Sequence, residues 1–221
     1  MLPLTSLVLL AAALASGYLL GSIPFALLVE KWKQVDLRRI GSGNMGASNA
    51  FIAAGKLPGI LVMLGDILKG TLAVVLVGAA TGGNHVAMAA AAVGAVVGHD
   101  WSLYLGLHGG KGTATTVGVI LALDWRILAM SVVVYFLLLA VSRFIVISSL
   151  LTVAAMPAMM MLRPWWAPVA GVEPTAFVYA AILLAGLGYL RHWDHVERFL
   201  GGREPRASDM FRELLGRRVK S

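Results

Sequence analysis

Long apolar runs, separated by short polar stretches rich in glycine, make up most of the chain. A transmembrane helix takes about 20 mostly apolar residues. Residues 2–29 carry no charge before Glu30 and predict a first span. Residues 57–80 are apolar except for Asp66 and Lys69, and residues 85–107 except for His99 and Asp100. Residues 113–141 are long for one span and carry Asp124-Trp125-Arg126 near their middle, which predicts two short spans joined by a tight turn. Residues 144–162 and 174–190 complete a set of seven. Ala13-Leu14-Ala15 looks like a signal-peptidase site, but no Lys or Arg precedes Lys31. Without a basic n-region the first run reads as a retained helix.

Charge orients this pattern. With seven spans the loops alternate sides, and 15 of the 18 Lys and Arg residues fall on one side. These are Lys31, Lys33, Arg38, Arg39, Lys56, Lys111, Arg143 and every basic residue from Arg191 onward. Arg126 and Arg163 fall on the other side, and Lys69 lies within a span. Cytoplasmic loops carry the excess of Lys and Arg, so the N-terminus is expected outside and the C-terminus in the cytoplasm.

Composition agrees. Hydrophobic residues make up 59% and charged residues 13%, with mean hydropathy +0.83. A soluble domain carries about 25% charged residues, so a soluble globule is excluded. The absence of cysteine removes disulfides, zinc–thiolate sites, iron–sulfur clusters and cysteine nucleophiles. The net charge of +7 reads as basic loops facing an anionic leaflet, not as a nucleic-acid footprint. The expected fold class is therefore an all-α integral membrane protein of seven transmembrane helices. Residues 1–190 form the membrane domain and residues 191–221 a cytoplasmic tail. Within the tail, residues 205–220 read as a basic amphipathic helix on the inner leaflet. Met210, Phe211, Leu214 and Leu215 share one face there, away from Arg206, Arg212, Arg217 and Arg218.

Polar residues gather in segments 36–56, 98–116, 142–149 and 189–204, all assigned to the cytoplasmic side. In the first, Gly41, Gly43 and Gly46 match G-x-G-x-x-G. The dinucleotide reading needs a preceding strand and a βαβ unit, whereas here a charged stretch precedes and an apolar span follows. Glycines still allow close backbone approach and an anion-binding nest, and Ser42, Asn44, Ser48 and Asn49 add neutral donors. In the second, Gly109-Gly110-Lys111-Gly112 departs from a P-loop at Leu105 and Gly112. Lys111 nevertheless sits among glycines before a helix start, where backbone N–H groups and an ammonium suit a phosphate. In the third, His192 follows the last span, and an unshifted histidine, titrating at about pH 6.5, can serve as base, acid or hydrogen-bond donor. The spacing of His192, His195 and Glu197 matches no metal-ligand pattern. Asp66 and Lys69 lie three apart on one helix face and can pair.

Taken in order, these residues resemble a known family. Leu20-Gly21-Ser22-Ile23-Pro24, the 41–49 loop, Gly98-His99 with residues 109–112, the Ser148-Ser149 pair, and Arg191-His192 with Glu204 resemble the bacterial acyl-phosphate-dependent glycerol-3-phosphate acyltransferases, the PlsY family. The likeness runs over residues 17–204. It implies seven membrane helices with the N-terminus outside, in agreement with the charge count. It implies transfer of an acyl chain from acyl phosphate to the 1-hydroxyl of glycerol 3-phosphate, giving lysophosphatidic acid and phosphate in phospholipid biosynthesis. No metal, CoA, nucleotide or other cofactor is expected. The partners are the two substrates and the lipid bilayer, with no nucleic acid, and the chain is expected to act as a monomer in the bacterial inner membrane with its site on the cytoplasmic side.

Acyl phosphate is an activated mixed anhydride, so no covalent nucleophile is needed. The chain accordingly has no cysteine, no G-x-S-x-G and no H-x4-D. Carried over, the resemblance makes His192, Lys111, Ser42 and Asn44 the catalytic residues. Gly43, Asn49, Gly109, Gly110, Ser148, Ser149, Arg191 and His99 become the substrate-binding ones. Lys111 with the Gly109 and Gly110 backbone would hold a phosphate, Ser148 or Ser149 would hydrogen-bond one, and His192 would orient the glycerol hydroxyl. The chain also departs from the family pattern. Ile52 stands where an arginine is usual, so a phosphate-binding cation is missing or comes from Arg38, Arg39 or Lys56. Ser102 replaces a proline, His108 a frequent lysine, His195 an asparagine, and Val146 a serine. Two alternatives remain: an acyltransferase for a different acceptor, and a small anion transporter. The transporter should spread polar groups through the membrane depth, where this chain has mainly Asp66 and Lys69.

Overall fold

A computed structural model describes residues 4–166 and 175–209. Within them the chain is all-helical, with no strand. Ten α-helices follow in order: α1 (Leu4–Gly21), α2 (Phe25–Lys33), α3 (Ala47–Ala54), α4 (Lys56–Ala80), α5 (His85–Asp100), α6 (Thr113–Leu123), α7 (Trp125–Ser142), α8 (Ile145–Trp166), α9 (Thr175–Arg191) and α10 (Trp193–Leu200). A short 3-10 turn covers Leu103–Leu105. Five helical stretches are long and apolar enough to cross a membrane, and six if α9 and α10, bent by 63°, count as one.

Several boundaries differ from the sequence reading. The first apolar run breaks at Gly21–Pro24 into α1 and α2, because Pro24 lacks the N–H that would continue the ladder. The 30–56 segment, read as a loop, contains α3. The third run ends as a helix at Asp100, well before Leu107. The split of 113–141 is as expected: α6 stops at Leu123, and Asp124 caps α7 by accepting the Arg126 N–H at 3.0 Å. At 11 residues α6 is about 16 Å long, short of the roughly 30 Å hydrocarbon layer. The amphipathic end at Met210, Phe211, Leu214 and Leu215 lies outside the described residues.

Packing runs through α5, whose Ala91, Ala92, Ala95 and Gly98 are buried against its neighbours. A Cβ on Gly17 or Gly21 would fall onto the Ala91 or Ala95 carbonyl, and one on Gly94 or Gly98 onto the Leu14 or Tyr18 carbonyl. α1 and α5 therefore approach backbone to backbone, the arrangement that small residues permit where lipid supplies no hydrophobic drive between helices. On α7, by contrast, Phe136, Leu137 and Val141 are 60%, 62% and 85% exposed. Such exposure is untenable in water and natural against lipid.

Two ion pairs lie inside the bundle. Lys69 meets Asp66 at 2.8 Å with both side chains about fully buried, as their spacing implied, and also donates to the Ile23 carbonyl at the α1–α2 break at 2.9 Å. Near the opposite end, the Arg163 guanidinium contacts Asp124. Those two residues are 39 positions apart, so no local pattern could announce them.

Candidate active site

Three polar stretches, far apart in the chain, meet at one end of the bundle. The first is the turn before α3. Glu30 accepts the Leu37 N–H at 2.7 Å, and Leu37 is fully buried. Asn49 then clamps the loop: its Oδ1 accepts the Ser42 N–H at 3.0 Å and its Nδ2 donates to the Leu37 carbonyl at 2.6 Å. Gly41 has φ +61°, and any Cβ there would strike the Asn49 amide, so glycine is required twice over. Asn49 is thus spent on the loop it was expected to serve as a ligand. Ser42 is exposed and Asn44 half-buried.

The second stretch links α5 to α6. Ser102 donates to the Ser22 carbonyl at 2.6 Å, anchoring the linker on the α1–α2 break. Gly110 donates its N–H to the His99 carbonyl at 3.1 Å. A Cβ on Gly109 would strike that carbonyl, and one on Gly110 would strike the His99 ring. His99 Nδ1 in turn lies 3.4 Å from Asp66 Oδ1. Contrary to expectation, His99 is buried beneath the glycines and acts on the site only through them. Neither carboxylate oxygen of buried Asp100 has a hydrogen-bond partner among the described residues, and Gly112, at φ +71°, passes directly over it.

The third stretch is the α9–α10 corner. Arg191, over the Trp101 ring at 5.1 Å, donates from Nη2 and Nε to the Gly110 carbonyl at 2.7 and 3.2 Å. His192, just past the end of α9, donates from Nδ1 to the Gly188 carbonyl at 2.8 Å. That leaves the Nε2 lone pair facing the Thr113 hydroxyl at 3.5 Å. Burial, aided by the nearby Lys111 charge, lowers the His192 pKa to about 4, against the opposing Gly188 hydrogen bond. The imidazole is therefore neutral at physiological pH. α10 swings Asp194 over Lys111, whose ammonium meets both carboxylate oxygens at 2.7 and 2.8 Å. Burial holds the Lys111 ammonium below the usual lysine value, although Asp194 opposes this. Burial alone would raise Asp194, but its hydrogen bonds from Lys111 and the charges of His195 and Arg198 hold it low. Glu204, buried, accepts from Arg198 at 3.1 Å and meets His195 Nδ1 at 2.8 Å, fastening α10.

A cavity of about 420 Å³ opens where these stretches meet, lined by Arg38, Gly43, Met45, Leu107, His108, Gly109 and Arg191. Its described lining holds no carboxylate. A larger hollow of about 780 Å³ lies away from these loops between α1, α5 and α9, with an apolar lining and no Lys or Arg. Asn84, His85 and Thr175 are among its few polar side chains, with no cation of the Lys or Arg type to balance a phosphate. Of the expected site residues only Gly43, Gly109 and Arg191 line the smaller cavity; Ser42, Asn44, Asn49, His99, Lys111, His192, Ser148 and Ser149 lie outside its lining, as does Gly110. Ser148 is buried and bonded to Ser142 Oγ and the Phe144 carbonyl, both at 2.8 Å, and Ser149 donates to the Ile145 carbonyl at 3.0 Å. Their helix start touches the site side through Phe144, 5.2 Å from Phe199 of α10. Thr113 and Asp194 were missed. Each sits beside a residue singled out in the sequence, yet only folding shows which partner it faces.

The family model for glycerol-3-phosphate acyltransferase matches residues 11–202. A glycerol-3-phosphate acyltransferase of a Synechococcus strain is 42% identical over 202 residues, covering 89% of this chain and 94% of the relative. One of Halalkalibacterium halodurans is 37% identical over 190 residues, covering 85% and 90%. Among solved structures, the integral membrane acyltransferase PlsY in its glycerol 3-phosphate form superposes with a TM-score of 0.75 at 32% identity, covering 91% of this chain and 95% of that one. Its lysophosphatidic acid form gives 0.77 at 30% identity, covering 89% and 94%. With the glycine loops, Lys111 and His192 gathered at one end of a matching helical bundle, the chain belongs to the glycerol-3-phosphate acyltransferase family.

Proposed function

We propose that this protein acylates the 1-hydroxyl of glycerol 3-phosphate with an acyl phosphate donor, releasing lysophosphatidic acid and phosphate. The observation that carries the reading is the cavity in which Gly43, Gly109 and Arg191 meet, three stretches of one chain converging on a carboxylate-free, cation-lined hollow. Both substrates bear phosphate, and such a hollow suits them. In the reaction the hydroxyl oxygen attacks the acyl carbonyl carbon. The bond from that carbon to the bridging phosphate oxygen breaks, and phosphate leaves with the electron pair. The hydroxyl proton ends on phosphate or solvent.

Lys111 stabilises phosphate charge once a phosphate displaces Asp194 from it. The glycine backbone approaches the donor closely, and the free Nε2 of His192 accepts a hydrogen bond from the glycerol hydroxyl and aims its oxygen. Ser42 and Asn44, which flank Gly43 on the glycine loop, supply further polar contacts to the substrate. Most of the rate then comes from orientation and electrostatic stabilisation, without an acyl-enzyme. The chain works as a monomer crossing the membrane seven times, with α6 as a short span, its N-terminus outside and the site facing the cytoplasm of a bacterial inner membrane.

The test is the purified protein given an acyl phosphate and glycerol 3-phosphate, with phosphate and lysophosphatidic acid both quantified. Equimolar formation is expected. Phosphate release without lysophosphatidic acid, or equal use of acyl-CoA, would reject the reading.

A further inference from the structure

Lys111 is held by a carboxylate that no step of the reaction calls for. Both oxygens of Asp194 accept from its ammonium, at 2.7 and 2.8 Å. An ammonium has three N–H donors, so only one is left for a ligand. While it holds Asp194, Lys111 lies outside the lining of the nearby cavity. The Lys111 side chain is 20% exposed and that of Asp194 49%, so the carboxylate has room to turn while the ammonium is largely enclosed.

A second berth for the carboxylate stands beside the first. On α10, Arg198 Nη2 lies 3.3 Å from Asp194 Oδ2, and His195 Nε2 lies 3.8 Å from the same oxygen. Glu204 pins both residues, accepting from Arg198 Nε at 3.1 Å and meeting His195 Nδ1 at 2.8 Å. Phe199 ties the same helix to Phe144, with 5.2 Å between ring centres. α10 is therefore fixed, and Asp194 can pass from Lys111 to Arg198 by a turn of its own side chain. Without Asp194 the Lys111 ammonium would face the charges of Arg191 and Arg198 alone, so the carboxylate balances the site when it is empty.

We propose that Asp194 is a positioning residue acting through Lys111: a counter-ligand that occupies the ammonium in the empty site, swings to Arg198 when a phosphate arrives, and returns to expel the product phosphate. The identity of those phosphates rests on the acyltransferase reading. A site that grips substrate phosphate grips product phosphate equally well, and uniform binding of that kind does not speed turnover. A tethered carboxylate competes at the high effective concentration of an intramolecular partner. It weakens every phosphate that uses Lys111 by one common factor, set by the fraction of chains whose ammonium is unoccupied.

The experiment measures binding of inorganic phosphate and of glycerol 3-phosphate to the purified full-length chain by calorimetry, without donor, and in parallel the inhibition of turnover by phosphate. Asp194→Asn should tighten the ligand that uses Lys111 by about 3- to 30-fold, between the worth of a surface ion pair and that of a shielded charge-assisted hydrogen bond. Inhibition by phosphate should deepen by the same factor. Asp194→Glu, which keeps the charge, should stay close to wild type. In a Lys111→Gln background Asp194→Asn should gain nothing. Loosened packing weakens binding, so a gain in affinity separates the counter-ligand from a merely structural contact. No gain for either ligand in Asp194→Asn, an equal gain in Asp194→Glu, or a gain that survives without Lys111 would overturn the proposal. A wild-type chain that binds phosphate but forms no lysophosphatidic acid rejects the acyltransferase reading instead, and the binding arm still decides the role of Asp194.

Discussion

His192 shows how a single side chain is tuned. Its Nδ1–H is held by Gly188, which presents Nε2 as an acceptor, and burial keeps the ring uncharged down to about pH 4. Activity that depends on neutral His192 should therefore stay level from pH 8 to about 5 and fall as the pH nears 4. An acid limb centred near the ordinary histidine value of about 6.5 would contradict that. The same shift links to stability. The unfolded chain takes up this proton first, so the contribution is complete above pH 6.5 and is lost as the pH falls toward 4. Burial lowers Lys111 as well, but pairing with Asp194 opposes the shift. Lys111→Ala should leave a folded protein whose turnover drops by about 100-fold or more, since the preorganised charge is gone. Near-normal turnover would remove Lys111 from the chemistry.

Helices α4 and α5 hold the glycine loop in place. Asp66, Lys69 and His99 form a buried chain from the α1–α2 break to the underside of Gly110. Removing one partner of a buried pair strands the other charge, at a cost of about 3–5 kcal/mol. Asp66→Asn should lower the unfolding midpoint in detergent clearly, and Asp66→Asn with Lys69→Gln should cost less than the two singles summed. Strict additivity would mean the pair is not coupled. Glycine contacts are equally specific. A Cβ on Gly109 meets backbone, which cannot step aside, whereas one on Gly186 of α9 meets nothing. Gly109→Ala should cost most of the activity and Gly186→Ala almost none, with both proteins intact by size-exclusion chromatography. Equal activity of the two variants would show that the loop has room the packing denies.

At the scale of the molecule, depth is what the helix lengths set. Asp66 lies ten residues into α4, about 15 Å from the end that begins at Lys56. Asp66 lies beneath His99 and His99 beneath Gly110, so the buried charges of α4 support the loop from within the bundle. The native chain has no cysteine, so single substitutions can report its sidedness. Arg39→Cys should react with an impermeant maleimide only from the cytoplasmic face and Thr81→Cys only from the outer face; labelling of both from one face would refute the seven-span orientation. Apolar run length was enough to read a helical membrane protein, and the clustering of glycine with Asn, Lys and His to mark its polar stretches, because both signals are local. The break at Pro24 was written in the residue itself, though a uniform hydropathy hid it. The roles of Asn49 and His99 were not legible: a buried amide holding its own loop and an imidazole propping a glycine look, in a string of letters, like ligands. Nor was Asp194 over Lys111. That pairing joins residues 83 positions apart, and only close packing through glycine, helix against helix, brings such distant side chains together.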